Sequence, residues 1–441
     1  MMQVESQQDI GNTKRRIKAI VVGAGSRASQ YAGYALTHPE QLHIVGIVDP
    51  NEIRRNRLGD VHQVPLTHRF SYITELLSAN IQADAVINGT MDALHVETCL
   101  PLLAHGYDIL LEKPIGISRE EVIELLIAAK QYERKIMICH VLRYAPFYQE
   151  IRKRIASGDI GDILNIQTAE HVSYHHMSTA FVRGKWSNKE ASGSTMLMAK
   201  CCHDMDLITW FKSGIRPTRV TSTGGIMHFR EEQAPAGSGT RCLVDCAIET
   251  DCVYSAKKIY VEEKKWQHYA WAGIEQLGPS PTEQQMLASL QSDNPYGRCV
   301  WHCDNTVVDH QSVAIKFEDG STATHNLVGN TAKPCRTVHI IGRKGEIRGV
   351  MEDGYFVVRK PGFHDGQDYY EERIQLDISD EMHGGGDLLL VGDFVRVLQG
   401  EGGSISTTSI EDSIYGHLVG FGADRGMDEG IWVGLDKLEE A

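Results

Sequence analysis

No run of about 18 consecutive apolar residues occurs anywhere in the 441-residue chain, so nothing in it reads as a membrane-spanning helix. The opening MMQVESQQDIGNTKRR also lacks the apolar core of a secretory signal. A cytoplasmic protein with no membrane partner is the expectation. Positive charge is short as well: 44 Lys and Arg stand against 58 Asp and Glu, a net charge of −14. Affinity for nucleic acid rests largely on Lys and Arg neutralising phosphates, so no nucleic-acid partner is expected. Internal repeats and low-complexity tracts are absent, and the ten cysteines never form a C-x-x-C pair. In a reducing compartment such cysteines are buried apolar residues, metal ligands or catalytic groups before they are disulfides. What remains is ordinary for a globular protein, with 42% apolar and 23% charged residues, and the length suggests two domains.

From about residue 15 to 140, short β-branched runs (IKAIVVG, LHIVGIVD, ADAVINGT, YDILLEKP, KIMICHV) alternate with helical patterns, the rhythm of βαβ units in a parallel sheet. After 141 the texture changes. PFYQEIRKRIASG reads as one amphipathic helix opened by Pro146 and closed by Gly158. QSVAIKFEDGSTATHNLV then alternates across an Asp-Gly turn, and TVHIIGRKGEIRGVMEDGYFVVRK adds two Gly-marked turns. The expected fold is therefore α/β: an N-terminal Rossmann domain over 15–140 and a C-terminal α+β domain over 141–441. The latter carries an open, mainly antiparallel sheet and a polar insertion around 228–300.

Directly after the first strand, GAGSRA sets Gly23, Gly25 and Ala28 in the G-x-G-x-x-[G/A] pattern of a dinucleotide cradle, with Ser26 and Arg27 between them. Gly23 permits the tight turn, Gly25 the close approach of a pyrophosphate, and Ala28 the packing of helix on sheet. The second strand ends at Asp49, where a carboxylate can bond both hydroxyls of an adenine ribose, favouring NAD. Arg54 and Arg55 follow closely and leave room for NADP. ILLEKPIG places Glu112 and Lys113 just past another strand, at the carboxyl edge where such sheets bind ligands. Beside an oxidised cofactor an amine there should have lowered proton affinity, which suits acid or base duty on a hydroxyl. His140, Arg143 and Tyr144 lie past the next strand in ICHVLRYAPF, within reach of the same crevice; Arg143 and Tyr144 are candidate substrate contacts, with Arg143 a positioning group.

AKCCHDMDLITW poses a choice between metal site, thiol nucleophile and neither. On a helix over 196–212 stepped at 100° per residue, Met198, Cys201, Cys202, Met205 and Thr209 form one packing stripe. Lys200 and His203 fall opposite, one turn apart, as a candidate pair of proton-transfer groups with the thiols pointing away.

The dinucleotide motif, the Glu112-Lys113-Pro114 triplet, the HVLRYAP strand exit and the His203-x-x-Asp206 helix, in this order, resemble the Gfo/Idh/MocA family of NAD(P)-dependent oxidoreductases. The likeness runs from about residue 17 through the late HGGGDLLLVGDFVRVL and TSIEDSIYGHLVGFGA segments. It implies a Rossmann domain, an open-sheet second domain, and a bound sugar, cyclitol or related polyol between them. Lys113 matches the family's lysine and His203 its helix histidine. The sequence departs at Ala199, where the family often has Asp four residues before that histidine, with Lys200 beside it. Some relatives are glycoside hydrolases that keep NAD bound and oxidise the sugar only transiently.

Two further groups stand out. Cys242, Cys246, Cys252 and Cys303, with Cys299 nearby, form a candidate structural zinc site pinning the insertion. EHVSYHHMSTAFVRGKWSN, read as a loop, offers His175, Arg183 and Trp186 as a candidate sugar-binding wall, and His383 in EMHGGGD as a further contact. The expected function is an NAD(P)-dependent oxidoreductase acting on a secondary hydroxyl of a carbohydrate-like small molecule. Lys113 and His203 move the proton, and Lys200 orients. The alternatives are a glycosidase or lyase with tightly held NAD, and a non-catalytic NAD- or sugar-sensing regulator. An open sheet commonly serves self-association, so a homo-oligomer is expected.

Overall fold

The first strand, β1 (Ile17–Val22), is buried at five of its six positions. Such a run fits a central strand covered on both faces rather than an alternating half-exposed one. A computed structural model describes residues 15–278, 280–377 and 382–435. In it β1 joins β2 (Leu42–Val48), β3 (Arg69–Phe70), β4 (Ala85–Asn88), β5 (Asp108–Leu111) and β6 (Ile136–Ile138). Their order is β3-β2-β1-β4-β5-β6, and every pairing is parallel. The winding reverses between β1 and β4, the crevice where doubly wound sheets take their ligands.

The second sheet has nine strands: β7 (Ile163–Ser173), β8 (Pro217–Gly225), β9 (His310–Phe317), β10 (Thr322–Thr331), β11 (Cys335–Gly342), β12 (Glu346–Val350), β13 (Tyr355–His364), β14 (Gln367–Gln375) and β15 (Val433–Gly434). They lie in the order β14-β13-β12-β11-β7-β10-β9-β8-β15, antiparallel except for the β7–β10 pair. The Asp319-Gly320 turn joins β9 to β10 as its spacing predicts. Alternation along β10 puts Ala323, His325 and Leu327 inside and Thr322, Thr324 and Asn326 outside.

The helix Met196–Phe211 lies under the second sheet, against β7 and β10, and along the helix Ile410–Glu429. Those two helices meet closely at Gly416, where a Cβ would stand 2.9 Å from the Asp206 backbone. After residue 385 the chain returns to the first sheet. Leu390, Val391, Phe394 and Val395 complete the core on one face, and Ile410, Ile414 and Leu418 on the other. A boundary at residue 140 therefore divides the sheets but not the packing. Between β8 and β9 the insertion folds as short helical turns, including Lys257–Glu262, Gln267–Ala270, Ala272–Leu277 and Glu283–Gln291. It closes over its own cluster of Ile259, Tyr260, Trp271, Leu290 and Tyr296. No helix among the described residues is long and apolar enough to cross a membrane.

Candidate active site

The first strand hands its chain to the cradle at Gly23, whose φ of +83° is in the left-handed region. A Cβ there would meet the Gly89 carbonyl oxygen at 2.7 Å, whereas one on Gly25 would have nothing within 4 Å. Ala28 packs where a Cβ on Gly89 would come within 2.8 Å, which explains the small residue at that point. Ser26 opens the helix Ser26–Ala32, whose N-terminus receives no side-chain cap. Its free N–H groups and open approach fit a pyrophosphate. Asp49, at the end of β2, accepts from the backbone N–H of Ala24 at 2.6 Å and of Asn51 at 2.7 Å, so its carboxylate is fixed beside the cradle. These residues fit a dinucleotide. Arg27 turns into the protein instead, donating to Glu112 at 2.9 Å and to Asp387.

The turn after β5 is held rigidly. Glu112 is buried and accepts from Arg27, from the Tyr31 hydroxyl at 2.8 Å and from the Lys113 backbone at 2.6 Å. Burial alone would raise its pKa, but Arg27 and Lys113 outweigh that and keep it below the usual range. His95 meets the Pro114 carbonyl at 2.6 Å, and Ile115 N–H donates to His417 Nε2 at 2.9 Å. Lys113 Nζ in turn donates to the Ala199 carbonyl at 2.8 Å. Burial opposes the Lys113 ammonium, yet the Cys202 sulfur and the Glu112 and Asp92 carboxylates raise its pKa above the ordinary lysine value. The lowered proton affinity expected of this lysine belongs to the state with an oxidised cofactor beside it; the protein's own groups favour the ammonium.

His203 is buried, and its ring stands edge-on to His140 with centroids 5.6 Å apart. His140 continues at 5.4 Å to His417, so three imidazoles from three segments form a row behind the lysine turn. Burial pushes the His140 pKa well below the ordinary value, with Arg143 and Lys113 adding to it. Burial and His140 push His417 down to about 3. Arg143 forms a bidentate pair with Asp206, at 2.7 and 2.6 Å, with both side chains almost wholly buried. It positions the helix carrying His203.

The stripe reading of that helix is corrected. Fifteen of its sixteen residues are buried, because it lies between a sheet and another helix and so has no solvent face to orient a stripe. Cys202 is close enough to Lys113 to act on its charge, while Cys201 sits near Asp204. Lys200 pairs with Glu170 of β7 at 3.1 Å. Cys201, Asp204 and His325 do bring donor atoms within 4.8 Å of one another, the one such group of three among the described residues. Arg336 lies against both Asp204 and Glu170, at 3.3 and 2.7 Å, so Lys200 and Arg336 already balance the two carboxylates there.

Other expected contacts also moved. Tyr144 is buried and donates to Asp393 at 2.8 Å, which makes it part of the core. The stretch expected as a loop is helical over Tyr174–His176 and Met177–Arg183. Arg183 at its end is buried, donating to the carbonyls of Tyr254 at 2.8 Å and Arg298 at 2.7 Å and to Cys242 Sγ at 3.4 Å. That corrects both Arg183 as a substrate contact and the zinc site. No three of Cys242, Cys246, Cys252 and Cys303 come within 4.8 Å, and the guanidinium already supplies positive charge beside Cys242 and Cys303. The side chain of His383 lies outside the described residues.

Trp186 and His175 lie in one aromatic cluster, with partners the sequence did not reveal. Trp186 donates to Asp92 at 3.1 Å, and Tyr269 of the insertion stands edge-on to it at 6.1 Å. Trp266 donates to His175 Nδ1 at 2.9 Å and stacks on His176 at 4.2 Å. Charge on Tyr269 and on Lys185 is felt from Lys113, Glu112 and Asp92, so this cluster borders the lysine turn.

A parallel sheet with a pyrophosphate cradle at its reversal, and a fixed lysine at its carboxyl edge, defines a dinucleotide-dependent enzyme. Residues 17–140 match the oxidoreductase family with an NAD-binding Rossmann fold, and residues 148–251 match the GFO/IDH/MocA C-terminal domain. The chain belongs to the GFO/IDH/MocA oxidoreductases and is an NAD(P)-dependent oxidoreductase. It is 22% identical over 321 residues to the putative oxidoreductase YteT of Bacillus subtilis, covering 70% of this chain and 71% of that one. It is 25% identical to the trans-1,2-dihydrobenzene-1,2-diol dehydrogenase of Xenopus tropicalis, over 46% of this chain and 59% of the relative. For inositol 2-dehydrogenase of Corynebacterium glutamicum the figures are 22%, 44% and 54%. Apart from YteT, these matches span little more than half of the relatives' length. An NAD-binding oxidoreductase from Klebsiella pneumoniae shares the fold with a TM-score of 0.68 at 15% identity, covering 96% of this chain and 100% of that one. So does the WlbA dehydrogenase from Bordetella pertussis, solved with NADH and UDP-GlcNAcA, at 0.64 and 15% over 96% and 100%.

Proposed function

We propose that the protein interconverts a secondary alcohol and a ketone on a sugar, cyclitol or related polyol, using NAD. The observation that carries this reading is Lys113, fixed at the carboxyl edge of β5 and bordered by the Trp186 and Tyr269 rings. An aromatic face beside a proton-transfer group suits a ring that is apolar on one side and rich in hydroxyls on its edge. A polyol or sugar-nucleotide substrate is also what several relatives' names state, inositol 2-dehydrogenase and the UDP-GlcNAcA complex among them.

Gly23, Gly25, Ser26, Ala28 and Asp49 would hold the dinucleotide, which when bound supplies the hydride acceptor or donor. Lys113 does the proton work at Nζ. Resting as an ammonium, it hydrogen-bonds the substrate oxygen and gives up its proton when a ketone is reduced. In the oxidative direction the ammonium first passes its proton to solvent, and the free amine then takes the proton of the substrate hydroxyl. His203 and neutral His140 lie behind it as the groups through which a proton can be shared. Self-association through the outer face of the second sheet belongs to the same reading: Thr322, Thr324 and Asn326 leave that face of β10 short and uncharged.

The test is to incubate the purified full chain with NAD and a panel of inositols, hexoses, hexuronates and sugar nucleotides, following NADH absorbance. Reduction of NAD by one class of secondary alcohol is the expected result. Binding of NAD with no turnover on any such alcohol, or on the matching ketones with NADH, would overturn the reading.

A further inference from the structure

The segment Ala272–Leu277 of the insertion reaches the nucleotide end of the first sheet, and one ion pair fastens it there. Arg54 donates through Nε to both Glu275 carboxylate oxygens, at 3.1 and 2.9 Å, and through Nη2 to one of them at 2.9 Å. This is a fork-on-fork contact across 221 positions of sequence, and both side chains are more than two-thirds shielded from solvent. Such bidentate geometry is strong for its class because the planar guanidinium is pre-shaped for it.

Arg54 sits in the first turn of the helix Glu52–Val61, directly after β2, with its backbone N–H capped by Asn51. Asp49 directly follows that strand and contributes to the field that holds the Arg54 charge. Whether a Rossmann site accepts a 2′-phosphate turns on this spot: a carboxylate there bonds the ribose hydroxyls, and a free arginine nearby accommodates the phosphate. The chain carries both residue types. Arg55, the other nearby candidate, bonds its own neighbourhood, donating to the Asp49 carbonyl at 2.6 Å.

We propose that Glu275 sets the cofactor preference: by engaging Arg54 it withdraws the guanidinium a 2′-phosphate would need, and it adds a second carboxylate near Asp49, so NADP is rejected and NAD accepted. The insertion thus acts as the specificity element for a site built by the first domain. This rests on the dinucleotide-binding reading and deepens it.

The test needs no substrate. NAD and NADP are titrated into the full chain by isothermal calorimetry for wild type, Glu275→Gln, Arg54→Ala and the double variant. Wild type is expected to bind NAD at least about 100-fold more tightly than NADP. Glu275→Gln keeps size and shape while removing the charge; it should tighten NADP at least about tenfold and leave NAD within about threefold. The double variant should lose that gain, because Arg54 is what Glu275 releases. Glu275→Ala, checked by circular dichroism, repeats the test should the glutamine retain the contact. Unchanged NADP affinity in both Glu275 variants, or a gain that survives loss of Arg54, would overturn the role of Glu275. A wild type that binds neither dinucleotide would overturn the cofactor reading as well.

Discussion

The ammonium of Lys113 is hydrogen-bonded at 2.8 Å to the carbonyl of Ala199, one helical turn before His203. Ala199 is where the family resemblance leads to the expectation of an aspartate. Here the helix backbone, rather than a side chain, receives the lysine, and Cys202 lies on the same flank. The two candidate proton-transfer residues are therefore tied to one helix from opposite domains.

Replacing Lys113 with methionine keeps the stem and removes the donor. Turnover of the reactive alcohol should fall about 10²- to 10⁴-fold, the range typical for loss of a positioned acid–base group. NAD affinity should change little, because the cradle lies on β1 and β2. Steady-state kinetics alongside calorimetric NAD titration separates the effects; an equal loss in NAD binding would make Lys113 a cofactor ligand.

His417 gives a pH signature. Its Nε2 accepts the Ile115 N–H, so the bonded ring must be neutral, and burial with His140 puts its pKa at about 3. An unfolded histidine has a pKa of about 6.5. Between those values the unfolded chain holds a proton that the folded chain lacks, so acidification through that window removes stability. This ring alone contributes up to about 1.4 kcal/mol per pH unit. His417→Gln can still accept from Ile115 but does not titrate. Urea unfolding at several pH values below 6.5 should show wild type losing stability relative to the variant as pH falls. A difference that does not vary with pH would remove His417 from the neutral row.

How much of this was legible in the sequence follows from the range of each signal. The cradle, Asp49 and Lys113 were readable because each is marked by its place relative to a strand a few residues away. The β9–β10 hairpin was readable from period-two alternation across Asp-Gly. The two-residue β3 is too short to show a pattern. Periodicity failed on the helix 196–211 because it needs a wet face, and this helix has none. His417 and Glu275 were invisible for another reason: they meet residues 115 and 54 across 302 and 221 positions, and no local pattern reports such a contact. The cysteines misled because a count of thiols does not reveal that Arg183 stands beside Cys242 and Cys303.

Arg183 is the pin of the insertion. Arg183→Met fills similar space but leaves the Tyr254 and Arg298 carbonyls without that donor, at about 1–3 kcal/mol for each buried group. Limited proteolysis should then cut within residues 226–309 well before the first domain is touched. Protection equal to wild type would show that the hydrophobic cluster around Tyr260 and Trp271 suffices.

Gly416 sets two opposing effects against each other. Alanine favours a helix over glycine by about 1 kcal/mol, so Gly416→Ala would stabilise an exposed helix. Here the new methyl would lie 2.9 Å from both Cα and N of Asp206, and backbone cannot rotate aside as a side chain can. Overpacking of this kind costs about 1–3 kcal/mol. The helices must separate slightly, and Asp206, which holds Arg143 by two bonds, moves with them. The expected outcome is a net loss in unfolding free energy, together with reduced turnover at unchanged NAD affinity. A variant more stable than wild type would mean that the helices are free to part without disturbing the row of His203, His140 and His417.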